Sequence, residues 1–268
     1  MPNPQFIVGF PEDNIQVFEI YNSIGQTLAR THPRLLDTQK FLLSLWHTSS
    51  PDRIRLDTPI SYYDRLRIRQ PGDAKFTLGP HVDGGSVERW EDPGFRKVFG
   101  NILKGGPHWR NHDPFDATPR IDVKSDLYNV SYVVFFLKMH PSHLSSSNAC
   151  SIFRPWQGWT ALSSTGPNEG TLQVLPNLSV ASSYIILRPF FRPKNSHSDS
   201  LKFGDWELDI DSSRFPGSSI GKTQELNVKS HPHLYLDKTM VSIPKVQPGD
   251  QVYCELSIFS SLFKSCKD

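Results

Sequence analysis

Apolar positions recur at helical spacing twice near the start of the chain. Val17, Ile20, Tyr21, Ile24 and Leu28 share one face of a helix, which predicts an amphipathic helix over 14–30. His32-Pro33 interrupts it. Pro33 suits the first turn of a second helix running to about Trp46, with Leu35, Leu36, Leu42, Leu43 and Trp46 as its apolar stripe. Residues 1–50 thus read as a helical part packed on the outside of a β core. After a polar loop the period changes. Ile60 to Gln70 reads as a strand, and its alternating Arg65, Arg67 and Arg69 fall on one face. Asp92-Pro93 opens a short helix, Phe95, Val98, Phe99 and Ile102 line one side of it, and Gly105-Gly106 ends it.

The second half is read as short strands between turns. Ser151 to Trp156 alternates before a turn at Gln157-Gly158, and 165–170 is another turn. Thr171 to Pro176 alternates with period two, which puts Thr171 and Gln173 on one face. Ser183 to Phe191 reads as a strand ended by Arg192-Pro193. Residues 194–231 form a polar, loop-rich stretch with Trp206 and Phe215 as packing anchors. Met240 to Ile243 and Gln251 to Cys254 are strands flanking the turn Pro248-Gly249-Asp250. The class expected is mainly β with flanking helices (α+β), with its core over 58–254.

Composition narrows this further. At 268 residues one large domain, 1–268, is expected, because β sandwiches and barrels reach this size undivided. A net charge of +2 gives no broad footprint for nucleic acid. The longest apolar run, Val130–Met139, contains Lys138 and falls well short of the ~20 residues of a membrane span. No secretory signal is visible at the start. Cys150, Cys254 and Cys266 are far apart, so free thiols in a reducing, cytoplasmic setting are expected.

The candidate chemistry centres on His81-Val82-Asp83. In an extended segment, side chains at i and i+2 face the same way, so one imidazole and one carboxylate project together. Gly79-Pro80 turns the chain in front and Gly84-Gly85 behind. An imidazole and a carboxylate are two of the three ligands in the 2-His-1-carboxylate site of non-haem Fe(II) oxygenases. His-x-Asp alone is also what a surface turn can contain. The loop over 107–122 carries His108, His112, Asp113 and Asp116, but Pro114 and Pro119 make it irregular, and it reads as a loop over the core. Arg65, Arg67 and Arg69 are candidates for an anionic substrate or co-substrate, because a guanidinium fork matches a carboxylate. Ion pairs with Asp64, Asp73 or Glu88 are the structural alternative. Gln157, Trp159, Thr171 and Gln173 are further candidates for the pocket wall.

The runs DRLRIRQPGDAKFTLGPHVDGGSVERWEDPGF, FRPWQGWTALSSTGPNEGTLQVLP and YIILRPFF closely resemble the domain-of-unknown-function family 1479, common in fungi and bacteria. The resemblance covers roughly 12–129 and 149–254. That family looks like a branch of the 2-oxoglutarate/Fe(II) dioxygenase superfamily, and GTLQVLP resembles a strand of phytanoyl-CoA hydroxylase relatives. The resemblance implies a double-stranded β-helix (jelly roll, cupin-like). It also implies Fe(II) and 2-oxoglutarate as cofactors, His81 and Asp83 as metal ligands, and hydroxylation of a small molecule.

Two segments depart from the family. Residues 130–148 read as an insertion, either untranslated sequence retained in the gene model or a lineage-specific loop. Residues 255–268 form an atypical tail where the family places its distal histidine and, beyond it, a basic residue for the co-substrate. No histidine follows His233. His231 and His233 read as a loop pair rather than as substitutes. Catalysis is therefore expected to be impaired. The alternatives are an inactive jelly-roll binding protein, a truncated gene-model product or, less readily, a cupin-type isomerase or hydrolase.

Overall fold

The computed structural model describes residues 8–10, 15–20, 22–61, 64–68, 79–82, 87–123, 154–195, 199–211, 215–219 and 224–255. The expected insertion at 130–148, the tail beyond 255, Asp83 and Arg69 lie outside them. In chain order the strands are β1 (Val8–Phe10), β2 (Val17–Glu19), β3 (Leu66–Arg67), β4 (His81–Val82), β5 (Trp156–Thr160) and β6 (Gln173–Val174). They continue with β7 (Phe191–Pro193), β8 (Trp206–Leu208), β9 (Gln224–Glu225), β10 (Val241–Ser242) and β11 (Gln251–Glu255). The α-helices are α1 (Ile24–Arg30), α2 (Pro33–Leu43), α3 (Glu88–Glu91), α4 (Pro93–Val98), α5 (Gly100–Leu103), α6 (Leu178–Leu187) and α7 (Leu236–Thr239). The fold is mixed, with helices beside small antiparallel sheets. Among the described residues β1-β2-β3 form one sheet, and β4–β9, β5–β11, β6–β10 and β7–β8 form two-stranded ones.

The start of the chain corrects the predicted helix over 14–30. Val17–Glu19 is a strand, and the helix begins only at Ile24. The cause is a capping box: Ser23 accepts a bond from the Gln26 amide at 3.2 Å, and the Gln26 side chain accepts one from the Ser23 amide at 3.1 Å. The second helix begins at Pro33 as expected. Neither helix buries a residue, and Ile24 and Leu28 are exposed.

The main core lies between α3–α5 and α6. Phe99, Ile102, Ile185 and Ile186 are fully buried there, beside Val82, Trp90, Phe95, Val98, Leu226 and Leu234. Full burial of such a side chain is worth about 1.5–3 kcal/mol. The Asp92 carboxylate accepts from the Phe95 amide at 2.8 Å and starts α4 where Asp92-Pro93 predicts. Trp90 Nε1 donates to the Ile186 carbonyl at 2.9 Å and ties α3 to α6. Phe215 packs on Trp90 with ring centroids 5.0 Å apart, as an anchor should.

Two further expectations are corrected. The strand expected from Ser183 to Phe191 is α6 and a 3-10 turn, with only Phe191 entering β7. Its buried positions are Ala181, Ser182, Ser183, Ile185 and Ile186, a broad helix face that an apolar run read from Ser183 conceals. The Ser182 and Ser183 hydroxyls donate to carbonyls four residues back, at 2.6 and 2.9 Å, and so are satisfied inside the helix. The turn expected at Gln157-Gly158 is the middle of β5, and Gly158 faces Tyr253 of β11. A Cβ at Gly158 would lie 2.0 Å from the Val252 carbonyl oxygen, so the glycine serves close backbone approach rather than a turn. The expected strand Thr171–Pro176 is reduced to Gln173–Val174, while the turn at Pro248-Gly249 is present, with Gly249 at φ 94°; the strands it joins pair with β6 and β5 rather than with each other.

Candidate functional site

His81 lies on β4, whose neighbour is β9. His81 stands opposite Glu225 and Val82 opposite Gln224, and the Leu226 amide donates to the Pro80 carbonyl at 2.8 Å. Val82 points into the core, 1% exposed. That fixes β4 by burial on one side and by pairing along its edge. His81 is itself buried. Its Nδ1 lies 2.8 Å from the Gly79 carbonyl oxygen. A carbonyl only accepts, so Nδ1 is the donor; in a neutral ring Nε2 is then the nitrogen with the lone pair. A metal-binding histidine is oriented in the same way by its other nitrogen. Asp83, the second expected ligand, lies outside the described residues. Among the described residues no three His, Cys, Asp or Glu side chains stand close enough to hold a metal ion. The chemistry of His81 fits one ligand, and no complete ligand set is in view.

Polar groups gather beside β4 that sequence reasoning missed. Glu88 and Arg89 of α3 are each 2% exposed, and Gln224 of β9 is fully buried. Arg89 Nη1 donates to Gln224 Oε1 at 3.5 Å, and Gln224 Nε2 donates to the Pro216 carbonyl at 3.5 Å. In sequence these residues look like a solvated turn and a loop. Only the apolar Val87 and Trp90 on either side of Glu88-Arg89 hint at burial.

Other sequence candidates are scattered. Arg65 is exposed and pairs with Glu19 at 3.0 Å, so it braces the β1-β2-β3 sheet, and Arg67 is exposed on β3. Asp64, one of the partners considered for these arginines, pairs with Arg30. Gln157 and Trp159 lie on β5. Thr171 is buried and Gln173 Nε2 donates to Ser242 Oγ at 3.4 Å, across the β6–β10 pair. None of these residues shares a sheet with His81.

The acids of the loop over 107–122 tie it to the segment after α2 and to its own backbone. Asp113 meets His47 Nε2 at 2.8 Å and draws the His47 proton affinity upward; Asp116 accepts from the Thr118 amide at 2.9 Å. His112 is buried, and burial followed by the Arg120 charge depresses its pKa to about 4. His231 is 1% exposed. Burial, then the charge of Arg188, pushes its pKa down to about 3. Its Nδ1 lies 2.9 Å from Ser230 Oγ, and its Nε2 is buried with no partner. His233 Nε2 donates to the Ser200 carbonyl at 3.0 Å, and its ring packs between Tyr184 and Trp206 at 5.5 and 5.1 Å. His231 packs on Tyr184 of α6 with ring centroids 6.0 Å apart, and His233 lies between α6 and β8.

Known proteins share this architecture over most of the chain. The Candida albicans protein of GlcNAc inducible gene 2 (GIG2, DUF1479) has a crystal structure similar to all of this chain. Its TM-score is 0.76 at 32% identity, over 51% of that protein. A crystal structure from Salmonella typhimurium LT2, described as a candidate oxidoreductase, gives a TM-score of 0.66 at 30% identity, over 91% of this chain and 50% of that one. The uncharacterized protein YbiU of Escherichia coli K12 is 29% identical over 263 residues, which are 97% of this chain and 54% of YbiU. The chain thus spans about half the length of the relatives it matches. The family of unknown function that its motifs resemble is the one whose label the Candida protein carries. With the Gig2-like family model matching residues 2–259, the chain belongs to the Gig2-like family.

Proposed function

We propose that this chain carries part of an oxidoreductase of the non-haem Fe(II)/2-oxoglutarate type, with His81 and Asp83 as its metal-facing residues. The observation that carries the reading is the state of His81. It is buried at a strand end, and its Nδ1 is committed to a backbone carbonyl, so that Nε2 is the basic nitrogen. Bound Fe(II) with 2-oxoglutarate and oxygen would supply hydroxylation of a small molecule. The chain's own residues hold the imidazole in one tautomer and shield it from water. The name of the Salmonella neighbour agrees with this class.

The reading includes a double-stranded β-helix as scaffold. Its support is the nesting of two antiparallel pairs: β6–β10 lies within the chain segment closed by β5–β11. Such nesting is what a chain produces when it winds back along itself as paired strands. A reducing, cytoplasmic compartment is part of the same reading; Cys254 is buried, and among the described residues no helix is long and apolar enough to cross a membrane.

With His81 and Asp83 as the only ligands, metal affinity is weak and 2-oxoglutarate decarboxylation is slow. Fe(II) stands low in the divalent affinity order and depends on ligand number. The test is anaerobic Fe(II) titration with 2-oxoglutarate turnover, on the chain and on H81A and D83A. Weak binding lost in both variants supports the reading. Binding that neither substitution changes rejects it.

A further inference from the structure

A cavity of about 390 Å³ lies between α6 and the β7–β8 hairpin, away from the β4–β9 pair. Its walls include Trp109, Tyr184, Phe191, Phe203 and Trp206, and Arg188 stands among them. The volume is at the small end of ligand sites, about 300–1,000 Å³, and apolar walls with few polar groups are their usual lining.

Arg188 makes this more than an apolar groove. One guanidinium nitrogen, Nη1, donates to the Phe191 carbonyl at 2.7 Å, and the guanidinium carbon sits 5.4 Å from the Trp206 ring centre. Nε is buried and has no acceptor, and the guanidinium also bonds the Tyr184 side chain. Among the described residues no carboxylate pairs with Arg188. The other titratable groups facing it, His231, His233 and Tyr184, supply no anion. His231 is neutral because it is buried, and burial raises Tyr184 above the usual phenol range. Among the described residues, a guanidinium with no carboxylate partner thus stands in an aromatic wall.

We infer that this cavity binds a small organic acid, its carboxylate against Arg188 and its apolar body against the aromatic walls. A guanidinium fork matches a carboxylate, and burial strengthens the pair relative to water. The volume suits a single ring or a short acyl chain. Leu201 and Phe203, 77% and 87% exposed, stand at the rim, where an apolar ligand body would cover part of them. The inference is independent of the iron reading, since it uses neither His81 nor Asp83.

The experiment is titration of the full chain with phenylacetate and octanoate, each against its neutral amide, followed by tryptophan fluorescence and calorimetry. Both acids should bind at least about tenfold more tightly than their amides, the change expected for a charged hydrogen bond. R188Q should abolish the difference between acid and amide. V180W places an indole in the cavity from a position that is 51% exposed, so the fold should survive and binding of both acids should be lost. If R188Q fails to fold, V180W and the acid–amide ratio still decide. Equal binding of acid and amide, no binding of either acid, binding unchanged in V180W, or closure of the cavity by self-association in light scattering would each overturn the inference.

Discussion

At the scale of single residues, the buried imidazoles govern how this fold responds to acid. An unfolded histidine titrates near 6.5, His231 in the fold near 3 and His112 near 4. Between those values the unfolded chain binds the proton and the folded chain does not, so stability rises with pH there. The contribution is complete above pH 6.5 and is lost as pH falls toward 3–4. For each group it is on the order of a few kcal/mol. Replacing His231 by Leu removes a buried nitrogen that has no partner, together with the contact to Ser230. The variant should stay folded at pH 7, and its urea midpoint should fall less between pH 7 and 4.5 than that of the unaltered chain. An identical fall in both would show that His231 is not held neutral by burial.

At the scale of elements, caps and close approaches explain both what was readable and what was not. Asp92-Pro93 and the spacing of Phe95, Val98, Phe99 and Ile102 mark one short helix in the sequence, because cap and apolar face agree; the structure divides it at Phe99 into α4 and α5. Asp92→Ala should cost about 1–2 kcal/mol by loss of the cap, read as a lower Tm. An unchanged Tm would show that the Phe95 amide finds another acceptor. The start of α1 was legible too, in Ser23 and Gln26, but the apolar period from Val17 onward reads straight through that box. β2 is held by pairing with β1 and β3, partners that no local pattern reveals. For α6 the length of the apolar run was evident and its type was not, since a run buried on several sides looks alike as helix or strand.

At the scale of the whole molecule, long-range pairing holds the parts together. β5 and β11 meet across more than 90 residues of chain, Thr160 opposite Gln251 and Trp156 opposite Glu255. A small apolar cluster of Ala161, Ile243 and Val246 lies beside that pair, with Leu172 and Val252 against it. Gly158→Ala would drive a methyl against the Val252 carbonyl, and overpacking of this kind costs about 1–3 kcal/mol or more. Loss of amide-exchange protection along both β5 and β11 is expected. Protection retained in β11 would show that the pair is not what secures that strand. Of the proposed His-x-Asp site, the structure describes only His81, its burial and its bond to Gly79. The buried set of Glu88, Arg89 and Gln224 and the cavity at Arg188 were not legible. They arise where segments distant in sequence meet, and each looks local and solvated when read along the chain.

We propose His81 as a metal ligand. That role is tested most directly by Mn(II) titration of the chain and of H81A, with free Mn(II) read by electron paramagnetic resonance. Loss of even an outer-shell partner costs about 10–100-fold in metal affinity, and loss of a ligand should cost at least as much. The chain should bind Mn(II) weakly, and H81A should bind it at least about tenfold more weakly still. Equal affinity in the two proteins would contradict the assignment of His81.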